Sequence, residues 1–533
     1  MLRRAILSTG ILFALAVLPA LPSALAEERV DLDVIQKIKT EAFDNSQVME
    51  HMFYLSEVHG PRLTNSRGFF SAADWAAKRL GEWGIPANLE KWTYGGRGWN
   101  ITRFSAHLIE PQYAPLIGFP LAWSTGTNGP VTAEVVMATL SNEKDLQDNK
   151  GKLKGKIVLQ GPARELAMSM QPMGRRLSDA DLADRAATPL PVIGISPPAR
   201  GGNANRQFQN KLLAFLHDEA PVAVVRIGAA PGDGGTVFGQ GGGSRDPKDP
   251  LAPPMVILTP EHFNRMVRLI QHKIPVKMEL EVQTNFDERT DSVNVIGQIQ
   301  GGRKKDEVVM IGAHLDSWQG GTGATDNAAG SSVMLEVMRI LKVLNLKLDR
   351  SVRIGLWGGE EEGLLGSRAY VTKHFADRAT MKPLPEHAKL DVYFNVDAGS
   401  GRIRGMNLGG NDALRPVITE WFRPFADLGA GTVSNRTVGG AGGTDHQSFD
   451  AVGIPGFSFI QDPLEYGART HHSNMDVYDR IQGGDLAQMA AIVTSFVYNA
   501  ANREDMLPSK PLPKPQPQRQ QGTVGGATPS ASN

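Results

Sequence analysis

A histidine and two aspartates follow an apolar run in the middle of the chain. Residues 308–313 form the run, His314 comes directly after it, and Asp316 lies two positions further on. Asp326 follows in a segment of mostly small residues. Imidazole and carboxylate groups at the end of a buried strand are suitable ligands for Zn²⁺ or a similar divalent ion. The spacing therefore predicts a metal site, for which the rest of the chain must supply further ligands.

Further acids and imidazoles follow later segments of the chain. Glu360 and Glu361 come after the strand-like residues 351–357, and Asp397 comes after the strand-like residues 391–396. Two adjacent histidines lie in a polar loop nearer the C-terminus, namely His471 and His472. The chain contains no cysteine, so thiolate ligands and disulfides are both excluded.

Hydrolysis at two metal ions would use such groups in distinct roles. One carboxylate must bridge ions about 3.5–4 Å apart, and each ion needs terminal ligands and an open position. A carboxylate that binds no metal must take a proton from water and pass it to the leaving amine. A further carboxylate should hold a ligating imidazole in the correct tautomer. The chain has a candidate for each role.

Strand-like and helix-like patterns alternate through the part of the chain that carries these groups. The strand-like runs lie at residues 292–297, 308–313, 351–357, 391–396 and 457–460. This alternation predicts an α/β fold, with a mostly parallel, mixed sheet covered by helices on both faces. Functional groups in such sheets gather at the carboxyl ends of the strands, so the candidates should meet at one edge.

Changes in composition divide the 533 residues into predicted parts. They are a signal peptide at 1–26, the first part of the α/β domain at 27–119, a β-rich inserted domain at 120–285, the main α/β domain at 286–507, and a disordered Pro/Gln-rich tail at 508–533. The inserted segment has short β-prone runs between Gly-rich turns and no catalytic constellation, so we expect it to cover or shape a site elsewhere.

The first residues have the charged, apolar and small-residue order of a secretory signal. Arg3 and Arg4 precede an apolar run, and Ala24 and Ala26 provide the small residues of a cleavage site after Ala26. A single membrane anchor is the alternative, but the run is short and prolines interrupt it. We therefore expect an exported protein, periplasmic or secreted, with no stable membrane span after cleavage.

Charge composition narrows the range of partners. Basic and acidic residues both number 56, so the chain carries no net charge. This balance gives no argument for binding to nucleic acid or to an anionic membrane surface. We therefore expect no nucleic-acid partner.

The motifs together resemble the co-catalytic di-zinc exopeptidases, a family that includes bacterial aminopeptidases and glutamate carboxypeptidases. The shared order is His-x-Asp, Asp-Asn, Glu-Glu-x-Gly-Leu-x-Gly-Ser, Asp and His-Ser, over roughly residues 30–510. The branch of plasma glutamate carboxypeptidases is the most similar, through His314-Leu315-Asp316-Ser317-Trp318 and His471-His472-Ser473. The resemblance also implies that the inserted segment is a protease-associated domain.

The same resemblance implies two Zn²⁺ per chain and a role for each candidate. The implied metal ligands are His314 and Asp397 on one ion, Glu361 and His472 on the other, and Asp326 as the bridge. Glu360 would be the general acid and base, and Asp316 would orient His314. Dimers are common among the relatives, which leaves a homodimer open.

Plainer interpretations stand beside these roles. The acidic run could be solvated, and we expect Glu362 to be so. His471 is either a contact to the transition state or a surface histidine. Arg469 either receives a substrate carboxylate or is solvated.

The favoured function is an exported zinc-dependent exopeptidase that hydrolyses dipeptides or short peptides at a free terminus, as an aminopeptidase or dipeptidase. A water activated by the metal ions would attack the peptide carbonyl, with Glu360 as the base. The alternatives are carboxypeptidase action on short peptides, an amidohydrolase acting on non-peptide amides, and a non-catalytic binding protein on the same fold.

Overall fold

The computed structural model describes residues 28–190, 202–437 and 443–515, with the backbone alone for residues 202–206. The predicted signal peptide and the tail from residue 516 lie outside the described residues. Within the described ranges, no helix combines the length and the apolar character needed to cross a membrane.

The described chain forms strands and helices in alternation. The strands are β1 Ala87–Thr93, β2 Gly98–Glu110, β3 Ala114–Pro115, β4 Gly118–Pro120, β5 Val131–Ala138, β6 Ile157–Gln160, β7 Ala223–Ile227, β8 Met255–Leu258, β9 Lys277–Asp287, β10 Asp291–Ile299, β11 Lys304–His314, β12 Arg350–Trp357, β13 Ala376–Asp377, β14 Lys382–Pro383, β15 Leu390–Asn395, β16 Ile403–Asn407, β17 Thr432–Ser434 and β18 Gly456–Gln461. The α-helices are α1 Leu32–Asp44, α2 Val48–Met52, α3 Arg67–Glu82, α4 Glu143–Asn149, α5 Asp179–Ala186, α6 Gly202–Glu219, α7 Pro260–Gln271, α8 Ala329–Val343, α9 Leu365–His374, α10 Arg415–Phe422, α11 His446–Asp450 and α12 Gly483–Asn502.

The first of two large sheets has the strand order β1-β10-β12-β11-β15-β18-β16-β17. Its centre is parallel, because β12, β11, β15 and β18 pair in one direction. The pairs β1–β10, β10–β12 and β16–β18 are antiparallel, and the edge pair β16–β17 is parallel. The predicted mixed α/β fold is therefore confirmed. Antiparallel neighbours need no crossover helix, so strands can join the edges of the sheet in this way.

Helices cover both faces of this sheet. The buried cluster on one face includes α1, α3, α8 and α12, and the cluster on the other includes α9 and α11. The apolar side chains of Val333 and Met338 on α8 are fully buried. Helix α8 is buried nearly all round, which is typical of a helix at the centre of a large core. This packing fixes the loops that follow β11 and β12.

The second large sheet has the order β3-β2-β9-β5-β6-β7-β8-β4 and is also mixed. Its strands run from Gly98 to Asp287, whereas the inserted segment was predicted at 120–285. The earlier start follows from antiparallel pairing of β2 with β9, which joins residues far apart in sequence. The local sequence pattern of β2 does not indicate its pairing with β9. We call residues 98–287 the second lobe and the remaining described residues the first lobe.

The beginning of the predicted disordered tail contacts the first lobe. The side-chain amide of Asn411 donates to the carbonyl of Pro508 at 2.7 Å, and Lys510 pairs with Asp450. The described residues 508–515 are therefore fastened to the fold, and the rest of the predicted tail lies outside the described chain.

Candidate metal centre

Three neighbouring parallel strands deliver the predicted groups to one edge of the first sheet. His314 is the last residue of β11 and lies beside Trp357, the last residue of β12. The Glu360–Glu361 turn follows β12, and Asp397 follows β15 two residues after its end. The expectation that these groups meet at the carboxyl ends of the strands agrees with this arrangement.

His314 and two carboxylates form the first cluster. Its Nε2 atom lies 3.2 Å from Asp326 Oδ1 and 3.3 Å from Asp397 Oδ1. All three side chains are largely removed from water. One ring nitrogen carries at most one hydrogen, so it cannot donate well to two carboxylates at once.

His472 and two carboxylates form the second cluster. Its Nε2 atom lies 3.1 Å from Asp326 Oδ2 and 2.9 Å from Glu361 Oε2. The second oxygen of Glu361, Oε1, is buried without a hydrogen-bond partner. A buried carboxylate oxygen without a donor is costly unless a cation neutralises it.

Asp326 belongs to both clusters and places one oxygen in each. Ligands of a tetrahedral ion with bonds of about 2.0–2.1 Å are separated by about 3.3 Å, close to the imidazole–carboxylate distances found here. The residues present therefore fit two divalent cations that share the Asp326 carboxylate. The structure brings together every ligand that the resemblance implies, but their assignment as ligands stays a prediction.

Glu360 lies at the side of the first cluster. One of its oxygens, a His314 ring nitrogen and an Asp397 oxygen all lie within 4.8 Å of one another. Burial raises the pKa of Glu360 well above its ordinary value, and the negative charges of Asp397 and Asp445 raise it further against the opposing effect of His314. A carboxyl group with a raised pKa can hold a proton at neutral pH and release it to a base.

Asp316 does not contact His314 as closely as its predicted role required. His314 Nδ1 lies 3.0 Å from the backbone oxygen of Asp316 and 3.7 Å from its carboxylate Oδ1. The carboxylate instead accepts the backbone N–H groups of Glu360 and Glu361, each at 3.2 Å. The backbone carbonyl is thus the nearer partner for the imidazole, and the carboxylate holds the acidic turn.

Glu362 is buried, so the expectation of a solvated side chain is wrong. Its Oε2 atom lies 2.7 Å from the hydroxyl of Thr64, which also lies 3.0 Å from Asp316 Oδ2. Burial and then the negative charge of Asp316 raise the pKa of Glu362 to about 8. Thr64 is 298 positions away in sequence, which explains why the local pattern gave no indication.

His471 lies at the mouth of the centre. Its side chain is 43 % exposed and its Nε2 atom lies 3.7 Å from Asp326 Oδ2. Its ring packs on His472 and on Tyr466, with centroids 3.6 and 4.7 Å away. His471 is thus both partly exposed to solvent and close to the carboxylate of Asp326. Arg469, the other undecided residue, contacts the sulfur of Met173 at 2.8 Å from its Nη2 atom.

Sequence reasoning gave no role to Asp476, although it lies only four positions after His472. The Asp476 carboxylate accepts the backbone N–H of Thr325 at 2.6 Å, its hydroxyl at 2.7 Å, and the N–H of Asp326 at 3.2 Å. Asp476 therefore holds the backbone of Asp326, the candidate bridging ligand. The position of Asp476, close in sequence to His471 and His472, was the one feature of the sequence that could have indicated its role.

Arg62 is the second residue that the sequence did not single out. It is fully buried and donates to the carbonyls of Leu315 at 2.6 Å and Gly323 at 2.9 Å. One of these carbonyls lies directly before Asp316 and the other lies shortly before Asp326. Arg62 therefore fixes the backbone path that leads from Asp316 to Asp326.

The part of the chain that carries the candidate ligands matches a known family model. Residues 294–497 match the family described as Peptidase family M28, so the chain carries a domain of that family. The predicted resemblance to the zinc exopeptidases, and to the branch of plasma glutamate carboxypeptidases, is confirmed. The chain is 24 % identical to human carboxypeptidase Q over 491 residues, which are 91 % of this chain and 90 % of that protein.

Solved structures share the fold over most of the chain. The crystal structure of a peptidase M28 precursor from Shewanella amazonensis SB2B has a TM-score of 0.64 and 26 % identity, and the match covers 90 % of this chain and 98 % of that one. A zinc aminopeptidase from Bacillus subtilis has a TM-score of 0.52 and 21 % identity, with 86 % and 95 % covered. The second comparison is evidence for the fold alone.

Proposed function

We propose that this protein is an exported zinc-dependent exopeptidase that cleaves dipeptides or short peptides at a free terminus. The observation that carries the proposal is the position of Asp326, whose two oxygens face His314 Nε2 at 3.2 Å and His472 Nε2 at 3.1 Å. A carboxylate shared between two imidazole clusters is what a pair of co-catalytic ions requires. The peptidase family domain supports the same interpretation.

The ligand roles follow from the two clusters. His314 and Asp397 would hold one Zn²⁺, Glu361 and His472 would hold the other, and Asp326 would join them. When bound, the ions supply Lewis acidity that polarises the peptide carbonyl and lowers the pKa of water. The imidazoles of His314 and His472 must be neutral to bind a metal ion, so metal affinity falls at low pH.

Glu360 would be the side chain that moves the proton. It lies beside His314 and Asp397. It is not a member of either of the two histidine clusters that share Asp326. Its carboxylate would accept a proton from the attacking water and deliver it to the nitrogen of the departing amine. The turn that presents it is held by the Asp316 carboxylate through the N–H group of Glu360. The hydrogen-bonded backbone of the turn therefore orients Glu360.

Short substrates with a free amino end are the proposed class. The second lobe reaches the centre, because the N–H of Gly239 donates to the carbonyl of His472 at 3.1 Å. A lobe seated against the ligand loop leaves less room for a folded protein substrate. The names carboxypeptidase Q and zinc aminopeptidase among the similar proteins both denote exopeptidases and so agree with terminal cleavage.

The test is hydrolysis by metal-stripped and zinc-restored protein that lacks residues 1–26. The substrate panel would contain free dipeptides, amino-blocked dipeptides and carboxy-amidated dipeptides. Mass spectrometry would measure the hydrolysis of each. We expect cleavage of peptides with a free amino end, loss after chelation and recovery with zinc. Cleavage of only amino-blocked peptides with a free carboxylate would show carboxypeptidase action. A protein that binds zinc but cleaves nothing would contradict the proposed activity.

Export is tested separately by fractionation. We expect the full chain, expressed in a Gram-negative host, to appear in the periplasm or medium in a form shortened at its N-terminus. Substitution of the charged Arg3 and Arg4 together should reduce that processing. Unprocessed protein in the membrane fraction would instead support the anchor interpretation.

A further inference from the structure

The ring of His472 contacts both lobes, one through each nitrogen. The Nε2 atom of His472 faces Asp326 and Glu361, and its Nδ1 atom lies 2.6 Å from the side-chain amide nitrogen of Gln240 in the second lobe. The backbone of His472 has a φ of 62°, in the left-handed region that non-glycine residues rarely adopt. Such a conformation persists only where the surroundings determine it strongly.

The second lobe supplies part of the surroundings of the loop that carries His472. The N–H of Gly239 donates to the carbonyl of His472 at 3.1 Å, and the N–H of Asn474 donates to the carbonyl of Val237 at 3.1 Å. Asn474 also accepts the N–H of Val237 at 2.7 Å. Residues 235–240, which we call the clamp segment, are therefore paired with the loop that carries the second-cluster imidazole.

Gln240 is itself held in place. Its backbone carbonyl accepts the side-chain amide of Gln319 at 3.0 Å and the N–H of Ala122 at 3.1 Å. Gln319 belongs to the loop that follows β11, which ends at His314. The clamp segment is thus fastened to both cluster histidines, directly to His472 and through the Gln319 loop to His314.

The chemistry of the imidazole decides what Gln240 must do. A neutral ring that binds a cation through Nε2 carries its hydrogen on Nδ1, so Nδ1 must donate. The oxygen and nitrogen of a glutamine amide exchange places by a half-turn of the group, and the hydrogen-bond network determines which one faces the ring. In the ligating tautomer, Gln240 Oε1 is the atom that accepts the hydrogen.

We propose that Gln240 is a positioning residue for the second metal site, holding His472 in the ligating tautomer and orientation. The second lobe is then a structural part of the metal centre as well as a cover for it. This inference rests on the proposed two-zinc function. Partners of ligating imidazoles commonly change metal affinity by about 10–100-fold when they are removed.

The experiment measures zinc binding without any peptide substrate. Metal-free protein would be titrated with zinc against a chromophoric chelator, which gives the two dissociation constants separately. Gln240→Met keeps the length of the side chain and removes the acceptor, whereas Gln240→Glu keeps an acceptor. Gln283→Leu is the matched control, because Gln283 is an exposed glutamine on β9 of the same lobe.

We expect Gln240→Met to weaken one zinc by about 10–100-fold and leave the other unchanged. Gln240→Glu should bind both ions at least as tightly as the wild-type protein, and Gln283→Leu should match the wild type. Equal affinities in Gln240→Met and wild type would overturn the proposal, as would an equal loss in the Met and Glu variants. A protein that shows the expected zinc binding but cleaves no peptide would refute the proposed activity alone.

Discussion

The backbone N–H of Glu361 donates to the Asp316 carboxylate at 3.2 Å, which joins the turn after β12 to the loop after β11. The other oxygen of the same carboxylate accepts the N–H of Glu360, also at 3.2 Å. One buried acid thus aligns a predicted zinc ligand with the predicted proton carrier beside it. These two contacts hold the backbone of Glu360 and Glu361 against the loop that follows β11.

Replacement of Asp316 by asparagine should therefore impair both functions of the turn. The amide nitrogen of Asn would face one of the two N–H donors, so one hydrogen bond is lost and the turn shifts. We expect kcat/KM to fall about 10–100-fold or more, with weaker zinc binding. Kinetics and zinc titration on the same preparation check this. Unchanged kinetics would mean that the turn is held by other contacts.

The adjacent pair Glu360 and Glu361 should respond differently to the same substitution. Glu360→Gln removes the proton carrier and should lower kcat by about 10²–10⁴-fold while both zincs stay bound. Glu361→Gln removes a ligand of the second cluster and should lose one zinc together with activity. Zinc content by atomic emission, measured beside kcat, separates the two. If Glu360→Gln also lost a zinc, the roles assigned to the pair would be reversed.

Asp326 should be the residue on which both ions depend. Asp326→Asn leaves one oxygen in place of two, so only one cluster keeps its shared ligand. We expect the variant to bind at most one zinc tightly and to have no measurable peptidase activity. His472→Ala, which disturbs the second cluster only, is the matched comparison and should keep the zinc of the first cluster. Two tightly bound zincs in Asp326→Asn would contradict the bridging role.

The strand ends explain why so much of this site could be predicted from sequence. His314, the Glu360 turn and Asp397 each come directly after apolar runs, and the parallel pairing of β11 with β12 and β15 brings them together. The mixed α/β architecture followed from the same alternation. The assignment of Glu360 and Glu361 to separate roles came from the family pattern, because nothing local distinguishes two adjacent glutamates.

The residues that sequence missed act across long separations. Thr64 contacts Glu362 from 298 positions away, and Gln240 contacts His472 from 232 positions away. Such contacts depend on how helices, strands and loops pack against one another. The periodicity of hydrophobic residues along the sequence does not indicate that packing. The early start of the second lobe has the same cause, because β2 is assigned to it only through its pairing with β9.

A buried ionic cluster distant from the metal centre should make stability depend on pH. Glu336 is fully buried and contacts His51 at 3.2 Å and Arg339 at 2.8 Å. Burial alone would raise the pKa of Glu336, but the hydrogen bonds from His51 and Arg339 outweigh it and lower the pKa from 4.5 to about 2. The cluster joins α8 to α2, and Arg339 also pairs with Glu41 on α1 at 2.7 Å.

A carboxylate with a lowered pKa in the folded state stabilises the protein above its unfolded pKa and loses that effect as pH falls. For Glu336 the loss should occur between about pH 4.5 and pH 2. The shift corresponds to about 3 kcal/mol of unfolding free energy at neutral pH. Glu336→Gln should therefore be less stable than wild type by about that amount near pH 7, with the difference shrinking in acid. Denaturant unfolding of both metal-free proteins across this range measures it, and a difference that stays constant down to about pH 2 would show that the ionised carboxylate is not its source.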